Sequence, residues 1–245
     1  MKKPFLIVAL IAMLCTATFA QTDYVQREVI YLKPKLDKLD LFRKGIAAHN
    51  KKYHTTAPYK VSMSVADSGP HAGEYIWVMG PATMTELDKA PGTGEHQLDW
   101  EKNVNPYCES VGETMYWRSV KDVNYQAEGS ASFTHSLMRA VRVLPMQMDR
   151  YIEQMKKIAE VYKQKKYTGS FSMARRWGLS QEINAVTFTS FGKWAFWDED
   201  VKFSKDFDEV HGDGAYVRFL EEIGLCVDRS RTYDQLTEPV PELGS

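Results

Sequence analysis

The chain has 245 residues, of which 44% are hydrophobic and 12% aromatic, so it can bury a substantial core. This composition excludes an intrinsically disordered chain. The formal net charge is −1, and no dense run of lysine and arginine is present, so nothing in the charge pattern favours nucleic-acid binding.

The first 20 residues have the features of a cleaved signal peptide. Lys2 and Lys3 precede an apolar run that starts at Phe5, and the segment ends in small residues at Ala20. A membrane anchor is the alternative, but the run is shorter than the roughly 20 apolar residues of a spanning helix. We therefore expect cleavage after Ala20 and a periplasmic or secreted mature protein without a membrane span.

Cleavage would remove Cys15 and leave Cys108 and Cys226. In an oxidising compartment these two cysteines could form one disulfide. Because free cysteine is among the residue types most often buried, we expect two buried thiols instead.

A weak internal repeat runs through the chain with a shift of about 110 residues. Residues 59–64 resemble 169–174, residues 75–79 resemble 185–189, and residues 29–34 resemble 140–145 with a slightly different shift. The common order of these matches predicts a duplicated domain. The predicted divisions are a signal peptide at 1–20, a first copy at 24–123, a linker at 124–136, a second copy at 137–236 and a loose tail at 237–245.

The first copy has the pattern β-α-β-β-α-β. Leu39, Phe42, Ile46 and His49 recur at helical spacing, and Pro34 ends the strand before them because proline lacks the N–H that a ladder needs. The predicted elements are a strand at 27–32, a helix from residue 39, strands at 59–65 and 74–79, a helix at 98–111 kinked or shortened by Pro106, and a strand at 114–119.

The second copy repeats this pattern. Its first helix carries an apolar stripe at Ile152, Met155, Ala159 and Tyr162. The later elements are strands at 171–176 and 184–191, a helix at 211–223 and a strand at 226–232. Gly112 and Gly224 stand where glycine often ends a helix.

A β-α-β-β-α-β unit places both helices on one face of an antiparallel sheet and leaves the other face bare. Two copies can bury their bare faces on each other. We therefore predict an α+β protein of two tandem ferredoxin-like units packed sheet to sheet.

This element order and repeat resemble the dimeric α/β-barrel superfamily, as a fused pseudo-dimer, and most closely its monooxygenase-type and NIPSNAP-like members. The superfamily includes cofactor-free monooxygenases, heme-degrading enzymes, chlorite dismutases and dye-decolourising peroxidases. The resemblance implies a ligand cleft between the sheet and helices of one unit. In heme-using members a histidine near the second helix can be the axial ligand, which here corresponds to His96 or His211 and makes heme a candidate cofactor.

Aromatic residues are densest in the second copy, where Arg176-Trp177 ends one strand and Lys193 is surrounded in sequence by Phe191, Trp194, Phe196 and Trp197. An apolar wall with a cation at its mouth suits a planar ligand, although aromatic side chains also fill cores. We assign His211 as the candidate catalytic residue. The candidate ligand-binding residues are Arg176, Trp177, Trp194, Trp197, His96 and Trp100.

The other histidines are assigned to structural or surface positions. We expect His49 to be a hydrogen-bonded core residue, because it continues an apolar stripe, and His54, His71 and His135 to be solvated. His49 and His54 are five residues apart and would project from different faces of a helix, so no metal site is predicted.

Two functions are compatible with the sequence. The first is an exported barrel protein that binds a hydrophobic, planar small molecule and has monooxygenase-like or heme-related activity. The alternative is a non-enzymatic envelope protein that binds a partner or forms a homo-oligomer. The sequence leaves open whether the protein is an enzyme.

Overall fold

The computed structural model describes residues 24–178, 182–198 and 202–245, so the predicted signal peptide lies outside the described residues. Within these ranges, no helix has both the length and the apolar character needed to cross a bilayer.

The first half of the chain alternates strands and helices in the predicted order. Its elements are β1 (Gln26–Pro34), α1 (Leu39–Tyr53), β2 (Val61–Ala66), β3 (Tyr75–Ala82), α2 (Met84–Leu87), α3 (Glu95–Asn103), β4 (Cys108–Val111) and β5 (Met115–Tyr125).

The second half has β6 (His135–Val143), α4 (Met148–Lys165), β7 (Ser170–Arg176), β8 (Ala185–Phe191), α5 (Phe203–His211), α6 (Ala215–Cys226) and β9 (Val227–Pro239). The predicted α+β class is confirmed.

The strands form one antiparallel sheet with the order β3-β2-β9-β6-β8-β7-β5-β1, and β4 pairs with the end of β1 at residues 32–34, on the edge that β5 uses at residues 26–29. Because β1 also pairs with β3, the eight strands other than β4 close into a barrel. Closure removes free sheet edges, which are sites of aggregation in open sheets.

Each half contributes four adjacent barrel strands, with its last strand beside its first and its third beside its second. The halves meet edge to edge. Trp117 on β5 pairs with Arg176 on β7, and Val65 on β2 pairs with Glu238 on β9. The expected face-to-face packing is therefore replaced by continuous hydrogen bonding around a shared interior.

Side chains alternate between the barrel interior and the helices that cover the outside, as strand geometry requires. On β1, Ile30 and Leu32 pack toward the first-half helices, whereas Val29 contributes to the interior cluster with Trp117. A larger cluster lies between the second-half sheet and α4, α5 and α6.

The second predicted helix of the first copy is shorter than expected. Helix α3 ends at Asn103, and residues 108–111 form β4 instead of the last helical turn. Pro106 lies in the 3-10 turn between them. Proline removes a helical N–H and clashes with the preceding turn, so the helix cannot continue through it.

The corresponding helix of the second copy is two helices. Gly212 and Gly214 have φ values of 92° and 70° and separate α5 from α6. His211 is therefore the last residue of α5, not the start of a helix at 211–223, and Gly224 lies inside α6. The short Gly212-Asp213-Gly214 turn is favourable because glycine reaches positive φ without a steric penalty.

The predicted linker and tail are more ordered than expected. Strand β5 continues to Tyr125, and the tail begins as the end of β9. Leu243 is buried, its carbonyl oxygen accepts a hydrogen bond from Asn50 Nδ2 at 2.7 Å, and the Ser245 N–H donates to the Val61 oxygen. The prediction of a loose tail was wrong because these residues complete the first-half core.

Cys108 and Cys226 are both buried and unpaired, as expected. Cys108 Sγ donates to the Val104 carbonyl oxygen at 3.6 Å. Burial raises the pKa of the Cys108 thiol to about 11, so this group stays protonated at neutral pH.

Candidate functional site

The barrel interior forms a cavity of about 990 Å³ that opens to the surface. Inward-facing side chains from both halves form its walls, because alternate residues of every strand point to the same side. Most of the wall is apolar, with contributions from Val29, Val78, Met115, Trp117, Val186 and Phe188. A cavity of this size and character can hold a drug-sized hydrophobic molecule.

A small polar group interrupts the apolar wall. The ring of His71 lies 4.6 Å from that of Tyr31 and 6.0 Å from that of Tyr233. His71 Nδ1 is 3.0 Å from Glu74 Oε2, and Gln235 Nε2 donates weakly to the Tyr31 hydroxyl at 3.4 Å. A histidine oriented by a carboxylate is an arrangement suited to proton transfer.

Burial raises the pKa of the hydroxyls of Tyr31 and Tyr233. Loss of solvation disfavours the phenolate, so both groups remain protonated over the range in which histidine titrates. They can therefore donate hydrogen bonds to an oxygen atom inside the cavity.

Charged side chains lie in another part of the cavity lining. Arg176 Nη2 is 2.8 Å from Glu113 Oε2, and Arg27 Nη1 donates to the Ser119 hydroxyl at 3.0 Å. Arg176, one of the predicted ligand-binding residues, thus belongs to the barrel cavity and not to the second-half cleft.

A second cavity, of about 590 Å³, lies on the outside of the barrel between the second-half sheet, α4 and α6. Trp197, one of the predicted ligand-binding residues, lines this cavity. Trp177 and Trp194 do not line it: they are 53% and 57% exposed, and Trp194 packs against His135 and edge-on against Phe191. The expected aromatic site is thus dispersed.

His211 does not fit the role of an axial heme ligand. Its Nε2 lies 3.1 Å from the Lys157 carbonyl oxygen, to which it can only donate, and its Nδ1 faces Glu160 at 4.0 Å. The described residues that line the second-half cavity include no histidine. His211 therefore lies outside the described lining of both cavities.

His96 and Trp100, the predicted residues of the first half, lie together on α3. Trp100 packs edge-on against the His49 ring at 5.1 Å, and His96 Nε2 lies 3.1 Å from His49 Nε2 and 3.2 Å from His54 Nε2. The three imidazoles form a compact group between α1 and α3.

Burial lowers the pKa of all three imidazoles. The shift is largest for His54, whose pKa falls to about 4, because burial outweighs its hydrogen bond to the Tyr59 carbonyl. Asp99 opposes the effect at His49 through a 2.8 Å contact with Nδ1 but does not reverse it. The group is therefore neutral at pH 7.

No family model matches the sequence, and no curated protein matches it. Solved structures do match the fold. A candidate monooxygenase from Lactobacillus acidophilus NCFM has a TM-score of 0.56 at 13% identity, with 91% of this chain and 95% of that chain covered.

Two further neighbours match over a similar length. An anthrone oxidase-like protein gives a TM-score of 0.53 at 12% identity, covering 90% of this chain and 92% of that chain. Chlorite dismutase from Candidatus Nitrospira defluvii, in complex with imidazole, gives a TM-score of 0.53 at 10% sequence identity. The match covers 89% of this chain and 93% of that chain. The chain has the dimeric α/β-barrel fold. At these identities the likeness establishes the fold of the barrel protein and leaves its ligand open.

Sequence reasoning did not predict the surroundings of several histidines in this barrel protein. His54 was expected on the surface but is 1% exposed, and His135 packs against Phe191 and Trp194. His49 is buried and hydrogen-bonded, as expected. His71 was assigned to a solvated turn, and the pairing of β1 with β3 places that turn beside Tyr31.

The helical-spacing argument about His49 and His54 failed for a local reason. His54 follows the last residue of α1 and has φ −119° and ψ 38°, so it no longer obeys the rotation of the helix. Its side chain can therefore reach the same point as that of His49, five residues earlier.

Proposed function

We propose that the barrel interior binds a hydrophobic, planar small molecule. The observation that carries this proposal is the cavity of about 990 Å³ with mostly apolar walls and one convergent polar group. Ligand sites typically occupy roughly 300–1,000 Å³, with a few polar groups that fix the orientation of the ligand.

We further propose that the bound molecule undergoes monooxygenase-like oxidation. His71, oriented by Glu74, would accept a proton from the substrate, and Tyr31 and Tyr233 would hydrogen-bond to the oxygen on which charge develops. Dioxygen is the oxidant; one of its oxygen atoms enters the substrate and the other leaves as water. The names of the monooxygenase and anthrone oxidase-like neighbours support this class.

Heme-related activity is less well supported. The chlorite dismutase neighbours make it a candidate, but both ring nitrogens of His211 already face protein oxygens. We therefore assign no step to heme.

Binding can be tested with two adjacent residues of β8 that line different cavities. Val186 lines the barrel interior, and Thr187 lines the second-half cavity. Titration with the planar fluorophore N-phenyl-naphthylamine should show enhanced emission on binding. We expect Val186→Phe to weaken binding at least about 10-fold by occupying the cavity, and Thr187→Phe to leave it unchanged.

The opposite result, weakening by Thr187→Phe alone, would move the ligand site to the outside of the barrel. Circular dichroism and thermal melting of both variants check that neither loss comes from misfolding. No binding by the unmodified chain to this fluorophore or to polycyclic ketones would overturn the proposal.

Oxidation can be tested with anthrone as the probe substrate under air, by following anthraquinone absorbance. His71→Ala should lower the rate about 100-fold, the size typical for loss of an acid–base residue. His135→Ala removes a histidine outside the described cavity lining and should retain the rate. Equal rates for all three chains would exclude His71 as the proton acceptor.

A non-enzymatic role remains as a second candidate because α6 exposes apolar side chains. Val217, Leu220 and Leu225 are 59%, 44% and 57% exposed, and a second copy of the chain could cover them. Light scattering after size-exclusion chromatography should then give a dimer that Leu220→Glu converts to a monomer. A monomer at every concentration would remove this candidate.

We also propose that the chain is exported and that its two halves arose by tandem duplication. Export is supported by Lys2, Lys3, the following apolar run and Ala20. Duplication is supported by the common strand order and the weak sequence repeat. N-terminal sequencing of protein from the periplasmic fraction should begin at Gln21, and an intact Met1 would contradict export with cleavage.

A further inference from the structure

Three histidines from separate parts of the first half point the same ring atom at one position. His49 lies in α1, His54 follows its last residue, and His96 lies in α3. His96 Nε2 is 3.1 Å from His49 Nε2 and 3.2 Å from His54 Nε2. One ligand nitrogen from each ring lies within 4.8 Å of those of the other two.

The outer nitrogens fix the tautomers of two rings. His54 Nδ1 lies 3.0 Å from the Tyr59 carbonyl oxygen, which can only accept, so Nδ1 carries the proton. His49 Nδ1 lies 2.8 Å from the Asp99 carboxylate and is protonated for the same reason. In the neutral rings, both Nε2 atoms therefore present lone pairs to His96.

Hydrogen bonding alone cannot satisfy this arrangement. A single proton on His96 Nε2 must serve two acceptors, and His96 Nδ1 is then a buried acceptor with no described hydrogen-bond partner. If the proton moves to Nδ1, three lone pairs face one another. A cation at the point of convergence removes this repulsion.

We propose that His49, His54 and His96 bind one divalent transition-metal ion of the zinc class through their Nε2 atoms. Zinc with Zn–N distances of about 2.0–2.1 Å holds tetrahedral ligand nitrogens about 3.3–3.4 Å apart. The two closest nitrogen pairs are already within a few tenths of an ångström of that spacing.

The groups that contact the outer nitrogens of these histidines are those that usually support metal ligands. Metal-bound histidines usually donate their other N–H to a carboxylate or backbone carbonyl, which orients the ring and raises its basicity. Asp99 fills this role for His49 and Tyr59 for His54. Asn103 Nδ2 donates to the other Asp99 oxygen at 2.8 Å and holds the carboxylate in place.

The ion would join α3 to α1. These helices approach closely at Gly45, where an added Cβ would overlap the Asn103 backbone oxygen. His96 is half-buried, whereas His49 and His54 are buried, so the fourth coordination position faces the more accessible side. Three protein nitrogens leave that position for water or another small ligand.

The test measures metal on the purified chain. After zinc loading and gel filtration, elemental analysis should find one Zn²⁺ per chain, and Co²⁺ should give the visible absorption bands of a tetrahedral nitrogen site. Less than about one-tenth of an equivalent, from a chain that melts cooperatively, would overturn the proposal.

Matched variants locate the ion. Asp99→Asn should weaken zinc binding about 10- to 100-fold, and His96→Gln should weaken it further. His71→Gln removes a histidine outside the group and should bind as the unmodified chain does. Zinc should raise the melting temperature of the unmodified chain and of His71→Gln, and not that of His96→Gln.

A hydrogen-bonded histidine network without a metal predicts different results. His96→Gln would then lower stability with no change in zinc content, and Co²⁺ bands would be absent or retained equally in all variants. Because metal content is measured directly, this outcome is distinguishable even if one variant folds poorly.

Discussion

The two halves of the barrel protein share a strand order but fill the space under their helices differently. In the first half, three imidazoles, Trp77 and Trp100 occupy the region between the helices and β3. In the second half, the rings of Tyr162, Phe207 and Phe219 dominate, and a cavity of about 590 Å³ remains.

This difference shows that strand order does not determine where polar chemistry is placed. The second half has more aromatic residues, but its described cavity lining has no histidine. The first half combines its histidines with Asp99, and the barrel interior combines residues of both halves. A site in this fold must therefore be argued from side-chain geometry.

The largest expected effect comes from deleting residues 240–245, which complete the first-half core. Val240 and Leu243 are buried in its core, and the Leu243 carbonyl accepts from Asn50. Burying each such side chain contributes about 1.5–3 kcal/mol, so the deletion should cost about 3 kcal/mol or more in unfolding free energy. Urea denaturation measures this loss.

Hydrogen exchange can then show where the deletion acts. Amides of α1 should lose protection, whereas those of α4 should keep it if the halves are separately supported. Equal loss of protection in both helices would mean that the barrel unfolds as one cooperative unit. The two halves would then differ in structure but not in stability.

A pair of glycine substitutions tests how rigid each helix layer is. In Gly45→Ala the new Cβ meets the Asn103 backbone oxygen, and α3 must move away from α1. In Gly169→Ala the Cβ meets the Phe196 ring at 2.6 Å, and a ring can turn aside. We expect the free energy of unfolding, measured with urea, to fall by about 3 kcal/mol in Gly45→Ala and by about 1 kcal/mol in Gly169→Ala.

Gly92→Ala is the matched control. Its added Cβ would lie 3.9 Å from the Ala90 backbone oxygen, an ordinary contact distance, so the free energy of unfolding should not change. If Gly169→Ala were the more damaging variant, the second-half aromatic layer would be the more tightly packed one. Gly45→Ala should also weaken zinc binding if the metal proposal is correct, since it displaces the helix that carries His96.

The sequence predicted much of the fold because local patterns carry it. The apolar stripe from Leu39 to His49 and the stripe of Met155, Ala159 and Tyr162 correspond to α1 and α4. The closure of the barrel could not be predicted from such local patterns. It depends on β2 meeting β9 and β5 meeting β7, and edge pairing between distant strands leaves no periodic signal in either partner.

The site was predicted less well because its residues converge only in three dimensions. His96 and Trp100 were selected for a ligand cleft and an axial-ligand analogy, and both lie on α3 beside His49. The position of His54 depends on where α1 stops, and helix ends are the part of a helix that sequence patterns fix least. His71 gained its neighbour Tyr233, which lies on β9, only because β9 of the second half pairs with β2 of the first.

The smallest expected effect concerns the buried thiol of Cys108, at the edge of the first half. Burial raises its pKa to about 11, so in the native protein the reactive thiolate is scarce at pH 8. Iodoacetamide should therefore modify Cys108 slowly in the native chain and rapidly in urea, as followed by peptide mass spectrometry. Cys226, also buried with a raised pKa, should behave alike.

The same shift predicts how stability depends on pH. A thiol whose folded-state pKa lies above its unfolded value of roughly 8.5 stabilises the fold fully below that pH and loses this contribution as the pH rises toward 11. Cys108→Ala should remove this component of the alkaline decline. Rapid native modification at pH 8 would instead indicate that β4 opens readily, since Cys108 is buried where that strand pairs with β1.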